Sequence, residues 1–175
     1  QYCVSKNYAG IENLSLIPGN VGTAPIQNIG AYGVELKDAL YSCQVWDTQE
    51  KCISEISKED CAFEYRDSIF KSKEKGRYII LAIQLKLNKE NHKLQTSYGA
   101  IQQELEKTGI KDPSIADISQ AVIQIRSSKL PNPKELGNGG SFFKNPVINE
   151  KAFQVFQDQY PEAPFYKVAE GYKIP

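Results

Sequence analysis

Asn138-Gly139-Gly140-Ser141-Phe142-Phe143-Lys144-Asn145-Pro146, preceded by Arg126-Ser127-Ser128-Lys129-Leu130-Pro131, concentrates more chemistry than any other stretch of the chain. It sets flexible glycines, a hydroxyl, two aromatic rings, an amide and the cations Arg126, Lys129 and Lys144 within about twenty residues. Arg and Lys suit a phosphate, and a Ser between glycines and aromatics is placed to give up a proton. The passage reads as a site for a phosphorylated ligand. Ser141 reads equally well as a hydroxyl capping a helix or turn, and Phe142 and Phe143 as core.

A second candidate lies near the start. Pro18-Gly19-Asn20-Val21-Gly22-Thr23-Ala24-Pro25 could offer backbone N–H groups and the Thr23 hydroxyl to a pyrophosphate, while Gln27, Asn28 and Tyr32 could bond or stack on a flat ring. Gly19, Gly22, Gly30 and Gly33 do not make a GxGxxG fingerprint, and an ordinary glycine-rich connection is the plainer reading. In Tyr65-Arg66-Asp67-Ser68, Arg66 reads either as a local ion pair with Asp67 or as a cation held for a developing anion. Tyr98, in Thr96-Ser97-Tyr98-Gly99, opens a polar helix over 101–107. It reads as a surface residue or as a phenol on a loop reaching a ligand. His92, the one histidine, sits among Lys89, Glu90, Asn91 and Lys93 and reads as a solvated loop residue, a poor partner for a Ser–His hydrolase.

These groups need a scaffold, and the patterning supplies one. Residues 40–56 alternate as a hairpin with Tyr41, Cys43 and Val45 on one side, turning at 47–51. Residues 77–87 are almost continuously apolar, which predicts a central strand covered on both faces. Over 114–129 the period becomes helical: Ile115, Ile118, Val122 and Ile125 form a stripe, Ser114 with Asp117 caps it, and Arg126 and Lys129 share its last turn. A further helix from Asn149 turns Ala152, Phe153 and Phe156 inward and stops before Pro161. Strands first, helices later and no βαβ repeat indicate an α+β fold with a mostly antiparallel sheet and flanking helices.

With 175 residues, 41% of them hydrophobic, the chain can build a core. Zero formal net charge argues against a broad nucleic-acid face, and no apolar run reaches the roughly 18 residues that cross a bilayer. There is no signal-peptide pattern. Cys3, Cys43, Cys52 and Cys61 lack C-x-x-C or paired-histidine partners, so no metal site is expected; they read as reduced cytosolic thiols, with a Cys43–Cys52 bridge left open. The absence of Met and the abrupt ends read as part of a longer protein.

Four blocks in order give the chain a family likeness: residues 17–33, Tyr65-Arg66-Asp67-Ser68 with Phe70-Lys71, residues 126–133 and residues 137–146. Together they resemble the flavoenzyme family of UDP-N-acetylenolpyruvoylglucosamine reductases of peptidoglycan synthesis. Tyr98 is similar to the tyrosine of the subtype that closes a tyrosine-bearing loop over its substrate. The resemblance implies a cytoplasmic, monomeric oxidoreductase that uses FAD and NADPH and acts on a UDP-sugar, with no nucleic-acid or membrane partner. In that family NADPH reduces FAD, and hydride then passes to the terminal vinyl carbon of an enolpyruvyl group.

By resemblance, Arg66 would stabilise the resulting enolate-like anion and Ser141 would protonate the carbon. Tyr65, Tyr98, Arg126, Lys129, Asn145 and Tyr166 would hold the UDP portion. Pro18, Gly19, Gly22, Thr23, Gln27, Asn28, Gly30 and Tyr32 would hold the FAD. The same likeness implies that residues 1–130 are part of a FAD-binding domain and 131–175 the start of a substrate-binding domain. A small first domain would precede them, and a later glutamate would work with Arg66. A non-catalytic nucleotide-sugar or phosphate-binding module also accounts for Arg126, Lys129 and Lys144, though not for residues 18–32 or Arg66. A purely structural domain accounts for no ligand at all.

Overall fold

A computed structural model describes residues 1–132, 134–137 and 143–175. The chain forms two compact units, Gln1–Asn138 and Gly139–Pro175. In the first unit a short helix α1 (Tyr2–Ser5) and 3₁₀ turns at Glu12–Leu14 and Val21–Gln27 lead to a two-stranded ribbon of β1 (Gly30–Ala31) and β2 (Val34–Glu35). The one-turn helix α2 (Leu36–Ala39) follows. The antiparallel strands β3 (Leu40–Asp47), β4 (Cys52–Ser57) and β5 (Tyr78–Leu85) then form a sheet in the order β4-β3-β5. Helices α3 (Gly99–Thr108) and α4 (Ile115–Lys129) complete the unit. The whole is α+β with antiparallel sheets throughout.

Two irregularities explain where the apolar patterning misleads. Between β3 and β5 the register shifts at Leu40/Ser42 and again at Gln44/Val45. The first shift leaves Tyr41 as an extra residue, 60% exposed, while Ser42 and Cys43 are both buried; Tyr41 does not share the inward face of Cys43 and Val45 as the alternation predicts. The second leaves Leu81 without a partner, between Ile80 opposite Val45 and Ala82 opposite Gln44. A one-residue bulge reverses which parity faces the core. Tyr78 and Ile80 therefore pack inward before it, and Ile83 and Leu85 after it. The continuous apolar run of β5 thus records a change of parity rather than burial on two faces. β5 is an edge strand, with Ile79 56% and Leu81 49% exposed, and β3 is the central one.

The hairpin at 47–52 is fastened from outside. Asp47 accepts Gln49 N and Glu50 N through Oδ1 at 2.9 and 3.2 Å, while Arg77 Nε and Nη2 donate to its Oδ2 at 3.0 and 2.7 Å. The Arg77 hydrogen bond is the main reason the Asp47 carboxyl is held down at about 2. Cys43 faces Ile56 and is buried, whereas Cys52 faces Asp47 and is exposed, so the two do not bridge. Cys43 and Cys61 are both free thiols, and the neighbouring Cys43 together with burial lifts the Cys61 thiol above its ordinary range.

α4 forms where the sequence pattern places it. Ser114 Oγ accepts Asp117 N at 3.3 Å and the Asp117 carboxylate accepts Ser114 N at 2.8 Å, a complete capping box. Its buried stripe of Ile118, Val122 and Ile125 packs on Ile101 and Leu105 of α3, spaced four apart. α3 starts at Gly99, two residues ahead of the expected polar helix, and ends at Gly109 in the left-handed region. In the second unit β6 (Val147–Ile148), α5 (Glu150–Gln159), β7 (Tyr166–Val168) and β8 (Gly171–Lys173) pack around Phe153, whose ring stacks on Tyr172 at 3.7 Å. Asn149 caps α5 through Ala152 N, and Ala152 itself is exposed, not inward.

Two measurements test this frame. Ile118→Ala removes a fully buried side chain between α3 and α4 and costs about 2–5 kcal/mol in urea unfolding. Asp47 has a lower carboxyl pKa folded than unfolded, so its contribution is complete above about pH 4 and disappears as pH falls towards 2. Asp47→Asn keeps an acceptor for the turn but loses the charge. The native protein loses more stability than this variant between pH 4 and 2; parallel pH–stability curves would refute the assignment.

Candidate functional site

The segment 18–32 is shaped by backbone rather than by long side chains. Gly19 has φ +108°, and the 3₁₀ turn Val21–Gln27 contains Pro25 and ends at Asn28 with φ +44°. Thr23 donates its hydroxyl to Asn20 O at 2.7 Å. Pro18, Gly19, Asn20 and Thr23 line one side of a cavity of about 460 Å³, and Ile29, Leu36, Ile83 and Leu85 supply an apolar wall. Gln27 is exposed.

Asn28 is fully buried, with its side chain committed inside the fold. Nδ2 donates to Glu35 Oε2 at 3.0 Å and to Glu64 O at 3.1 Å, and Oδ1 accepts Lys37 N at 3.0 Å. Its amide is an internal fastener, with Nδ2 and Oδ1 both engaged within the fold. Asn13, also buried, ties Tyr32 O to Gln95 O through its Nδ2, both at 2.9 Å.

Arg66 lies over this segment. Glu64 and Asp67 exchange backbone hydrogen bonds across a two-residue turn, which puts Arg66 at φ +56°, a conformation that suits glycine. Its Nη2 donates to Gly30 O at 2.5 Å, Nη1 donates to Asn28 O at 3.5 Å, and Nη1 lies 3.6 Å from Glu35 Oε1. Arg66 does not pair with Asp67, the neighbour that a reading of the sequence offers it. The turn sends the two side chains apart, and Asp67 Oδ1 accepts Ser68 N at 2.8 Å. The guanidinium carbon also stands 5.2 Å over the Tyr65 ring.

A second cluster forms at the end of α4. The Tyr32 and Tyr98 rings meet edge to face at 5.3 Å, and Arg126 acts electrostatically on the Tyr32 phenol while its Nε donates to Leu16 O at 3.1 Å. Burial raises the Tyr32 phenol pKa, against the pull of Arg126. Arg126 with Leu16, Pro18, Ser127, Leu130 and Pro131 lines a cavity of about 380 Å³. Pro18 borders both cavities, so residues 18–32, Arg66, Tyr98 and Arg126 belong to one continuous region of the first unit. Lys129 is exposed on the last turn of α4.

In the second unit Asn145 is half-buried and Tyr166 is exposed on β7, with Lys173 Nζ 5.4 Å over its ring. Ser141, with residues 138–142, lies outside the described residues. His92 is half-buried rather than solvated, and its Nε2 has no hydrogen-bond partner among the described residues. No group of three or more His, Cys, Asp or Glu that could hold a metal occurs among the described residues, nor any helix long and apolar enough to cross a membrane. Glu35, Asn13 and Leu16 are the participants that motif reading passes over. For Glu35 the signal was present, because Glu35 and Asp38 have capping-box spacing at the head of α2.

No family model matches the chain. Among curated proteins it is 54% identical over 175 residues to UDP-N-acetylenolpyruvoylglucosamine reductase of Amoebophilus asiaticus, covering 99% of this chain and 51% of that protein. It is 50% identical over 169 residues to the protein of that name in Flavobacterium johnsoniae, covering 97% of this chain and 50% of that protein. For the Pseudomonas aeruginosa protein of that name the identity is 44% over 171 residues, covering 98% of this chain and 50% of that protein. The crystal structure of UDP-N-acetylenolpyruvylglucosamine reductase (MurB) from Thermus caldophilus superimposes with a TM-score of 0.55 at 17% identity, covering 99% of this chain and 56% of that one, a likeness of fold. The chain spans about half the length of the curated relatives it matches. Across that span its sequence makes it a member of the UDP-N-acetylenolpyruvoylglucosamine reductase family.

Proposed function

We propose that these residues form most of the flavin-binding domain and the start of the substrate-binding domain of a cytoplasmic, monomeric, FAD-dependent reductase of peptidoglycan precursor synthesis. It would use NADPH to reduce the enolpyruvyl group of UDP-N-acetylglucosamine enolpyruvate to UDP-N-acetylmuramate. The observation that carries the reading is Arg66, a cation kept in a left-handed turn and bonded to the backbone of the glycine-rich segment. Surface arginines have no need of such a setting.

The first unit has features that fit a flavin nucleotide. Its cavity joins an apolar wall, which suits a ring system, to a glycine-rich rim at Pro18, Gly19 and Thr23, which suits phosphate oxygens. Gly22, Gln27, Gly30 and Tyr32 would complete the cradle, and Asn28 would serve it by holding the segment in shape. FAD, when bound, would accept hydride from NADPH and supply it to the vinyl carbon.

Hydride addition at the vinyl terminus places negative charge beside the carboxylate. A guanidinium already fixed in position lowers the energy of that charge without reorganising. Arg66 therefore takes the enolate. Ser141 gives the proton to the carbon, a role open to a neutral hydroxyl because the anion it meets is strongly basic. Arg126, Lys129, Tyr65, Tyr98, Asn145 and Tyr166 hold the UDP portion, the cations meeting the diphosphate and the rings offering stacking faces. On its own the 175-residue chain is expected to bind FAD weakly and to turn nothing over.

The test is a hybrid protein in which these 175 residues replace the matched stretch of the Amoebophilus asiaticus reductase. It should carry a flavin absorbance and oxidise NADPH only when the enolpyruvyl sugar is present. Arg66→Lys and Ser141→Ala should slow reoxidation of the flavin by the sugar about 10²–10³-fold while leaving its reduction by NADPH unchanged. A hybrid that folds without taking up flavin, or variants that slow both half-reactions equally, would overturn the reading.

A further inference from the structure

We propose that Glu35 is a positioning residue for Arg66: its carboxylate sets the plane and direction in which the guanidinium meets the developing anion. The inference rests on the reading of Arg66 given above and extends it to a residue that the motifs do not assign.

The Glu35 carboxylate is held from several directions, so its position is defined before Arg66 arrives. Oε2 accepts Asn28 Nδ2 at 3.0 Å and Lys37 Nζ lies 2.9 Å from it. The side chain also caps α2, and Asp38 Oδ2 accepts Glu35 N at 2.8 Å in return. This leaves Oε1 facing Arg66 Nη1 at 3.6 Å. That separation is too long for a charge-assisted hydrogen bond and short enough for orientation. Gly30 O holds the other terminal nitrogen, Nη2. With the tether at Nε as the third point, contacts at the two terminal nitrogens fix the plane of the guanidinium; Asn28 O accepts Nη1 only at 3.5 Å, and Nε–H is not among the bonded donors.

Gly30 makes the arrangement possible. A Cβ at this residue would stand 2.7 Å from Arg66 Nη1 and 2.9 Å from Glu35 Cγ. Any side chain there must displace one or both of the groups that make the pair. The electrostatic need of Glu35 for a partner is already met by Lys37, so nothing in stability alone requires Arg66 to lie against its second oxygen.

The experiment uses the hybrid protein with Glu35→Gln, Glu35→Asp, Gly30→Ala and, as reference, Arg66→Lys. Glu35→Gln keeps an oxygen for the cap and removes the charge. Gly30→Ala leaves the cap intact and pushes the pair apart. Both should slow sugar-dependent flavin reoxidation roughly tenfold to hundredfold at saturating sugar. For Glu35→Gln, KM for the sugar should move by less than about threefold and flavin reduction by NADPH should be unaltered, and Glu35→Asp should recover most of the rate.

A readout without turnover accompanies these rates: side-chain ¹⁵N NMR of the 175-residue chain. The Arg66 Nη signals should report hindered rotation in the native chain and averaging in Glu35→Gln. A native reoxidation rate in a folded Glu35→Gln or Gly30→Ala protein, with Arg66→Lys slowed, overturns the role of Glu35 and leaves that of Arg66 standing. Should Arg66→Lys itself reoxidise at the native rate, the reading of Arg66 falls and Glu35 has no catalytic role to support. Unchanged Arg66 signals in Glu35→Gln overturn the positioning in either case.

Discussion

The buried amide of Asn28 is the interaction on which the region turns. Through three hydrogen bonds it joins the end of the 3₁₀ turn to the Glu64 carbonyl ahead of the Arg66 turn, to the first turn of α2 and to the Glu35 carboxylate. Asn28 tolerates the left-handed conformation better than most residues, and it stands at φ +44°. No apolar residue could replace it, because Lys37 N and Glu64 O would lose their partner inside the protein, at about 1–3 kcal/mol for each group left unsatisfied. Positions around the site are thus fixed by hydrogen bonds, while the sheet and the α3–α4 pair supply apolar burial beneath them.

That division of labour explains why the strain at Arg66 persists. A left-handed L-residue costs roughly 1–2 kcal/mol, and glycine in the same turn would not incur it. The turn is closed by the Glu64–Asp67 backbone pair and anchored by Ser68, whose buried hydroxyl donates to Ile26 O at 2.7 Å. With both flanks tied to the 3₁₀ turn, the backbone has little freedom to relax, and the guanidinium is delivered to Gly30. Asp47 and Arg77 do a comparable task at the far end of the sheet, where a charge pair secures a hairpin.

Helices were the most legible part of the sequence. Ser114 and Asp117 announced α4, and Asn149 announced α5, because capping is local chemistry. β5 was legible as a strand but not as an edge, since the bulge at Leu81 exists only through pairing with β3. Ile79 and Leu81 look like core until the register is known. At the site, residues 18–32 and Arg66 stood out by type. Their junction did not, because Gly30 and Arg66 are brought together by a turn whose left-handed residue is an arginine, not the glycine that would have advertised it. Neighbouring charges were a poor guide: Asp67 is adjacent in sequence, whereas Glu35, thirty-one positions away, is the carboxylate that Arg66 meets.

The small residue at position 30 then acquires a meaning beyond backbone freedom. Gly30 has no left-handed φ, so a turn does not demand it; space does. Its missing side chain is the volume that Arg66 Nη1 and Glu35 Cγ approach, and its carbonyl is what Nη2 grips. A protein selected for stability alone could fill that space and replace Arg66 by glycine, relaxing the turn in the same step. Keeping an empty Cβ site and a strained arginine together is a choice that stability does not favour at either position. The two are mutually dependent, and what they preserve is the aim of one cation.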